Sequence, residues 1–184
     1  MANHMPYHMN KESRPKLYRT IRGLLNRNGV FSCSLIGREH NRELYFVCYM
    51  IERVARKLHQ KNQYVVNHIS REEWERIFSL AGVLHCENPL KIECERIEEY
   101  HLEESSFDIT DVNKELVDEI PSETQMGKVY MRLILSTLQP EENYVEAMIR
   151  VYNDDLCQII DNYNCSAYYE PSFVITRAYY NGGF

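Results

Sequence analysis

Apolar positions along this chain recur mostly three and four apart, the period of an amphipathic α-helix. The longest run with that pattern is 140–163. Val145, Met148, Tyr152, Ile159 and Tyr163 fall on one stripe, and Leu156 fills its gap. Pro140 suits a first helical position, where its missing N–H costs nothing. Glu141 and Glu142 follow where the helix dipole favours negative charge. The pattern predicts one long helix over 140–163.

Upstream, Leu17, Ile21, Leu24 and Leu25 predict a helix over 14–28, ended by Asn28-Gly29. Residues 30–36 alternate with period two, as a strand does, and QYVVNHI (63–69) is a second strand candidate. A second strong helix covers 42–61 through Leu44, Val47, Ile51, Val54 and Leu58. Ser70 and Glu73 form a capping-box pattern. It opens a helix with Trp74, Ile77, Phe78 and Ala81 that Gly82 is expected to end. Asn88-Pro89 starts another, with Leu90, Cys94, Ile97 and His101 expected on its inner face and Glu93, Glu95, Glu98 and Glu99 outside. Thr110 or Asp111 is expected to cap a short helix through Val112, Leu116 and Ile120. Pro121 breaks it, and Ser122 with Gln125 caps the next. After Glu170-Pro171, Phe173, Val174 and Ala178 predict a last helix, stopped by Gly182-Gly183.

The expected fold is therefore mostly α: a multi-helix domain with one short β-ribbon (about 30–36 and 63–69). Few glycines and prolines (7 and 6 in 184 residues) agree with long regular elements. A 44% hydrophobic content supports a packed core and excludes a disordered chain. No apolar run approaches the ~20 residues of a membrane helix, and residues 1–14 lack the apolar core of a signal peptide. The expectation is a cytoplasmic protein without membrane contact, its six cysteines reduced.

Charge divides the chain. Residues 1–86 carry 14 Lys+Arg against 7 Asp+Glu, and residues 87–184 carry 7 against 20. This suggests a loose tail (1–12), a basic helical half (13–105) and an acidic, Tyr-rich helical half (106–184), able to share one core.

Candidate chemistry is sparse. His85, Cys86, Cys94 and His101 are zinc-ligand types, but their gaps exceed the two to four residues typical of zinc pairs. Cys86 adjoins His85 without that implying a thiolate–base pair. Asp154, Asp155 and Asp161 fit the solvated face of a helix better than a cation site. No phosphate loop, G-x-S-x-G or H-E-x-x-H is present. The sequence thus nominates no catalytic residue, metal or cofactor, and a thiol or metal enzyme is the weakest reading.

Two binding readings are stronger. Basic stripes, Arg14, Lys16, Arg19 and Arg22 on one helix and Arg53, Arg56, Lys57 and Lys61 on the next, fit phosphate contacts and hence nucleic acid. The C-terminal half instead offers Tyr144, Tyr152, Asp154, Asp155, Tyr168, Tyr169, Glu170, Tyr179 and Tyr180. Tyrosine combines apolar area with a polar tip, and an acidic surface suits a basic protein partner.

The segments FVCYMIE (46–52), VLH (83–85) and RIEEY (96–100) resemble a family of small bacterial proteins encoded beside ADP-ribosyltransferase-like toxins. The resemblance implies a small helical partner or antitoxin. It favours a non-enzymatic binding protein of the antitoxin or inhibitor kind, with a nucleic-acid-binding regulator as the alternative.

Overall fold

The structure is a computed structural model that describes residues 38–184, and these form one unit around one core. Its central element is α1 (Arg38–Lys57). Leu44, Val47, Cys48, Ile51, Val54 and Ala55 are buried at helical spacing. The helix ends where the Gln60 amide bonds the Ala55 carbonyl at 2.9 Å and His59 takes a positive φ of 51°. Leu58–Lys61 is therefore a turn, although the pattern predicted helix through residue 61.

The predicted strand at 63–69 is helix α2 (Asn62–His68). Val65, Val66 and Ile69 are buried one and four apart, which is helical spacing. The adjacent β-branched pair raises strand propensity, but packing decides. The other half of the expected ribbon, 30–36, lies outside the described residues, as do the predicted helix 14–28 and the tail 1–12. Among the described residues there is no strand, and the fold is mostly α.

Helix α3 (Arg71–Leu84) starts at Ser70, whose side chain accepts from the Glu73 amide at 3.2 Å. The reciprocal arm is not made, because the Glu73 carboxylate takes the Tyr100 hydroxyl and Arg76 instead. Gly82 lies inside α3 and does not end it. Helix α4 (Pro89–Glu99) starts on the Asn88 cap as expected. Its inner face differs: Ile92 and Glu93 are buried, while Leu90, Cys94 and His101 are exposed. The rotation has a cause, since Arg53 of α1 meets Glu93 at 2.7 Å.

Residues 110–120 form turns where a helix was expected. Asp108 accepts from the Thr110 amide and Asn113 from the Glu115 amide, and these local bonds compete with a helical ladder. Helix α5 (Glu123–Thr137) carries the predicted Ser122/Gln125 capping box. It lies along α1 so closely that a Cβ on Gly127 would meet the Tyr49 backbone at 3.0 Å.

The predicted helix 140–163 is two helices, α6 (Tyr144–Tyr152) and α7 (Leu156–Ile160). Asn143 and Glu146 form a capping box, so α6 starts after Pro140–Glu142. The Asn153 amide turns back to the Ile149 carbonyl and Asp154 accepts from the Leu156 amide, which breaks the helix. The break puts Ile160 inside and leaves Ile159 exposed. Helix α8 (Ser172–Asn181) follows Pro171 and stops at Gly182, whose φ of 76° suits glycine.

Candidate functional site

The C-terminal tyrosines divide by role. Tyr152 is buried and stacks on Tyr130, ring centroids 4.2 Å apart. Tyr168 is buried edge-on to Tyr163. Tyr144 is half-buried in the first turn of α6. Tyr179 is half-buried and accepts a bond from Arg150, which also binds Glu142 twice and the Thr137 carbonyl. Asp154 is half-buried and accepts from the Leu156 amide, whereas Asp155 and Glu170 are exposed. Of the six tyrosines predicted to bind a partner, Tyr169 and Tyr180 remain open, 62% and 67% exposed.

Two residues join them that sequence reasoning placed elsewhere or passed over. Phe173, one of the apolar positions that predicted this helix, is 71% exposed, and Phe184 is 57% exposed. Ile175 and Ala178 form the buried side of α8. Phe173, Arg177 and Tyr180 stand four and three apart, so they share the outward face of that helix. The spacing was legible; the face turned to the core was not.

Beside Tyr169, α5 and the start of α8 enclose a cleft of about 280 Å³ lined by Lys128, Arg132, Gln125 and Ser172. Among the described residues, Lys128, Arg132 and Arg177 enter no ion pair. The open aromatic face thus belongs to elements with uncommitted positive charge, although the C-terminal half is acidic by composition.

Two cations of the predicted basic stripe, Arg53 and Arg56, turn inward. Arg53 pairs with buried Glu93. Arg56 donates to Glu52 at 2.7 Å, to the Pro121 carbonyl at 2.8 Å and to the Tyr163 hydroxyl at 3.1 Å. Lys57 and Lys61 are exposed. Arg14, Lys16, Arg19 and Arg22 lie outside the described residues.

Arg56 belongs to a buried polar network that sequence reasoning missed. Glu52 is fully buried. Its Oε1 accepts from Arg56 and Tyr163, and its Oε2 accepts from the Asn62 amide at 2.7 Å. The same Asn62 nitrogen donates to Asp161 Oδ1 at 3.2 Å, which also accepts from the Tyr130 hydroxyl. Asp161 was expected on a solvated helix face and is half-buried. Burial, and then the nearby Glu52 carboxylate, push its carboxyl up to about 8, against the opposing bonds from Tyr130 and Asn62. Burial also pushes the Tyr163, Tyr130 and Cys157 groups up. A second cleft of about 280 Å³ opens over Asp161, between the 107–111 loop and α7.

The zinc-type residues do not converge. Among the described residues, no group of three or more His, Cys, Asp or Glu is placed to hold a metal. Cys86, Cys94, His85 and His101 are exposed. Cys165 is half-buried, its thiol bonded to the Ile159 and Asn162 carbonyls. Among the described residues, no helix is long and apolar enough to cross a membrane. No protein-family model, curated protein or solved structure matches the chain.

Proposed function

We propose that this is a non-enzymatic binding protein, of the antitoxin or inhibitor kind, and that it takes a protein partner on the outward face of α8. One observation carries the reading: Phe173 and Tyr180 share that face and are each more than two-thirds exposed. Exposed aromatic clusters mark interfaces because each ring adds apolar area at little cost in side-chain freedom. The uncommitted cations Lys128, Arg132 and Arg177 set the partner's chemistry. They favour a partner that inserts apolar groups and brings carboxylates to its rim.

A second reading keeps the basic partner that composition suggested. The exposed segment 103–119 presents Glu103, Glu104, Asp108, Asp111, Glu115, Asp118 and Glu119 with one cation, Lys114. The nucleic-acid reading gains no support from α1, where Arg53 and Arg56 face Glu93 and Glu52.

A photo-crosslinking residue at position 173, compared with one at Leu116, separates the readings. Leu116 lies within the acidic segment and is 70% exposed. The proposal predicts one partner crosslinked from position 173. Crosslinking from position 116 alone would favour the acidic segment.

A further inference from the structure

The cleft beside Tyr169 combines an apolar floor with a cationic wall. Leu133 of α5, Ile175 of α8 and Tyr168 form the buried floor, and Val129 packs beside them. The Tyr169 ring, its centroid 4.7 Å from that of Tyr168, and Pro171 carry the apolar surface out to the lip. Lys128 and Arg132 line the α5 side, four apart and therefore one above the other. Their charge has no local counterpart, because residues 124–140 contain no Asp or Glu. No ion pair reaches either cation among the described residues. Glu170 is the one carboxylate in the lining.

We infer that this cleft binds a small aromatic carboxylate, its ring on the floor and its head against Lys128 and Arg132. Two cations and one carboxylate leave a single positive charge. A monoanionic head matches that charge, whereas a dianion adds repulsion from Glu170. Arg132 can hold both oxygens of a carboxylate through its planar fork. The floor favours an organic ion over a bare one, since an inorganic anion leaves Leu133, Ile175 and Tyr168 uncovered. A volume of about 280 Å³ stands at the small end of ligand clefts, roughly 300–1,000 Å³, so one ring with a short acidic arm suits it.

The walls are set before any ligand arrives. The Ser136 and Thr176 hydroxyls meet at 2.6 Å and tie α5 to α8, and Thr176 also donates to the Ser172 carbonyl at 2.8 Å. The Tyr169 amide donates to the Ser166 carbonyl at 2.9 Å and holds the turn at Ala167–Tyr169. A preformed cleft loses little freedom on binding. Phe173 and Tyr180 do not line it, so the site is separate from the outward face of α8.

The test is an NMR titration of the full chain with sodium 3-phenylpropionate. Sodium acetate supplies the head alone, 3-phenylpropan-1-ol the body alone and inorganic phosphate a bare anion, all at matched ionic strength. The inference predicts saturable shifts at Val129, Leu133 and Ile175, with affinity at least about tenfold above each control. Lys128→Gln/Arg132→Gln should weaken binding about tenfold, and Glu170→Gln should strengthen it about two- to threefold. All three positions are exposed, so both variants should keep the wild-type unfolding midpoint. Phe173→Ser/Tyr180→Ser should bind the acid as the wild type does, whatever becomes of the α8 interface. The inference is overturned if the acid gives no saturable response, if the alcohol or phosphate binds as tightly, or if the folded Lys128→Gln/Arg132→Gln variant binds like the wild type.

Discussion

Tyr163 donates its hydroxyl to the carboxylate of Glu52, a residue 111 positions earlier in the chain. That bond ties the segment after α7 to the middle of α1, inside the core. Breaking it strands a buried charge. Removing Glu52's partner in Arg56→Ala should cost about 3–5 kcal/mol. Tyr163→Phe, which removes one bond to a charged acceptor, should cost about 1.5–3 kcal/mol. Urea unfolding midpoints measure both, and equal small losses would mean that the network contributes little.

The raised Asp161 carboxyl fixes a pH dependence of stability. Its folded value, about 8, lies above its ordinary 3.8. Between the two, the folded chain keeps a proton that the unfolded chain gives up. Its contribution to stability is therefore full below the lower value, falls as pH rises through the window, and is gone above about 8. Asp161→Asn should flatten the urea midpoint between about pH 6 and about pH 9, relative to the wild type.

Two helical glycines should respond with opposite signs. A Cβ at Gly127 would meet the Tyr49 backbone at 3.0 Å, so Gly127→Ala forces α1 and α5 apart. A cost of about 1–3 kcal/mol is expected. At Gly82 the nearest atom is a Glu43 carboxylate oxygen at 3.6 Å. Gly82→Ala should therefore stabilise α3 by about 0.5–1 kcal/mol. Thermal unfolding of the two variants, on either side of the wild type, is the check.

The cations of α1 should separate in the same assay. Arg53→Ala leaves the buried Glu93 carboxylate without its partner and should destabilise strongly. Lys57→Ala, at an exposed position, should stay within about 0.5 kcal/mol of the wild type. A stripe built for phosphate contact would let both be replaced without loss of stability.

These residues show what the sequence could disclose. Short-range signals were legible: Ser122 with Gln125, and Asn88 with Pro89, cap helices where expected, because capping involves neighbours in the chain. Local competition was harder to read. Asn153 and Asp154 break the stripe of 140–163 with their own side chains, although its apolar spacing continues through them. The network of Glu52, Asn62 and Asp161 was not legible, since its members are far apart in sequence and each is ordinary as a surface residue. The outward face of α8 was half legible. Spacing identified the helix, but only the packing of Ile175 and Ala178 shows that Phe173 is left uncovered.

The most direct test of the α8 interface is the affinity of the crosslinked partner for wild type and for a Phe173→Ser/Tyr180→Ser variant. Both positions are exposed, so the variant should keep the wild-type unfolding midpoint. The account predicts binding weaker by about a hundredfold or more, as for two aromatic anchors lost from one interface. Unchanged affinity in the folded variant would contradict it and move the partner surface to the acidic segment 103–119.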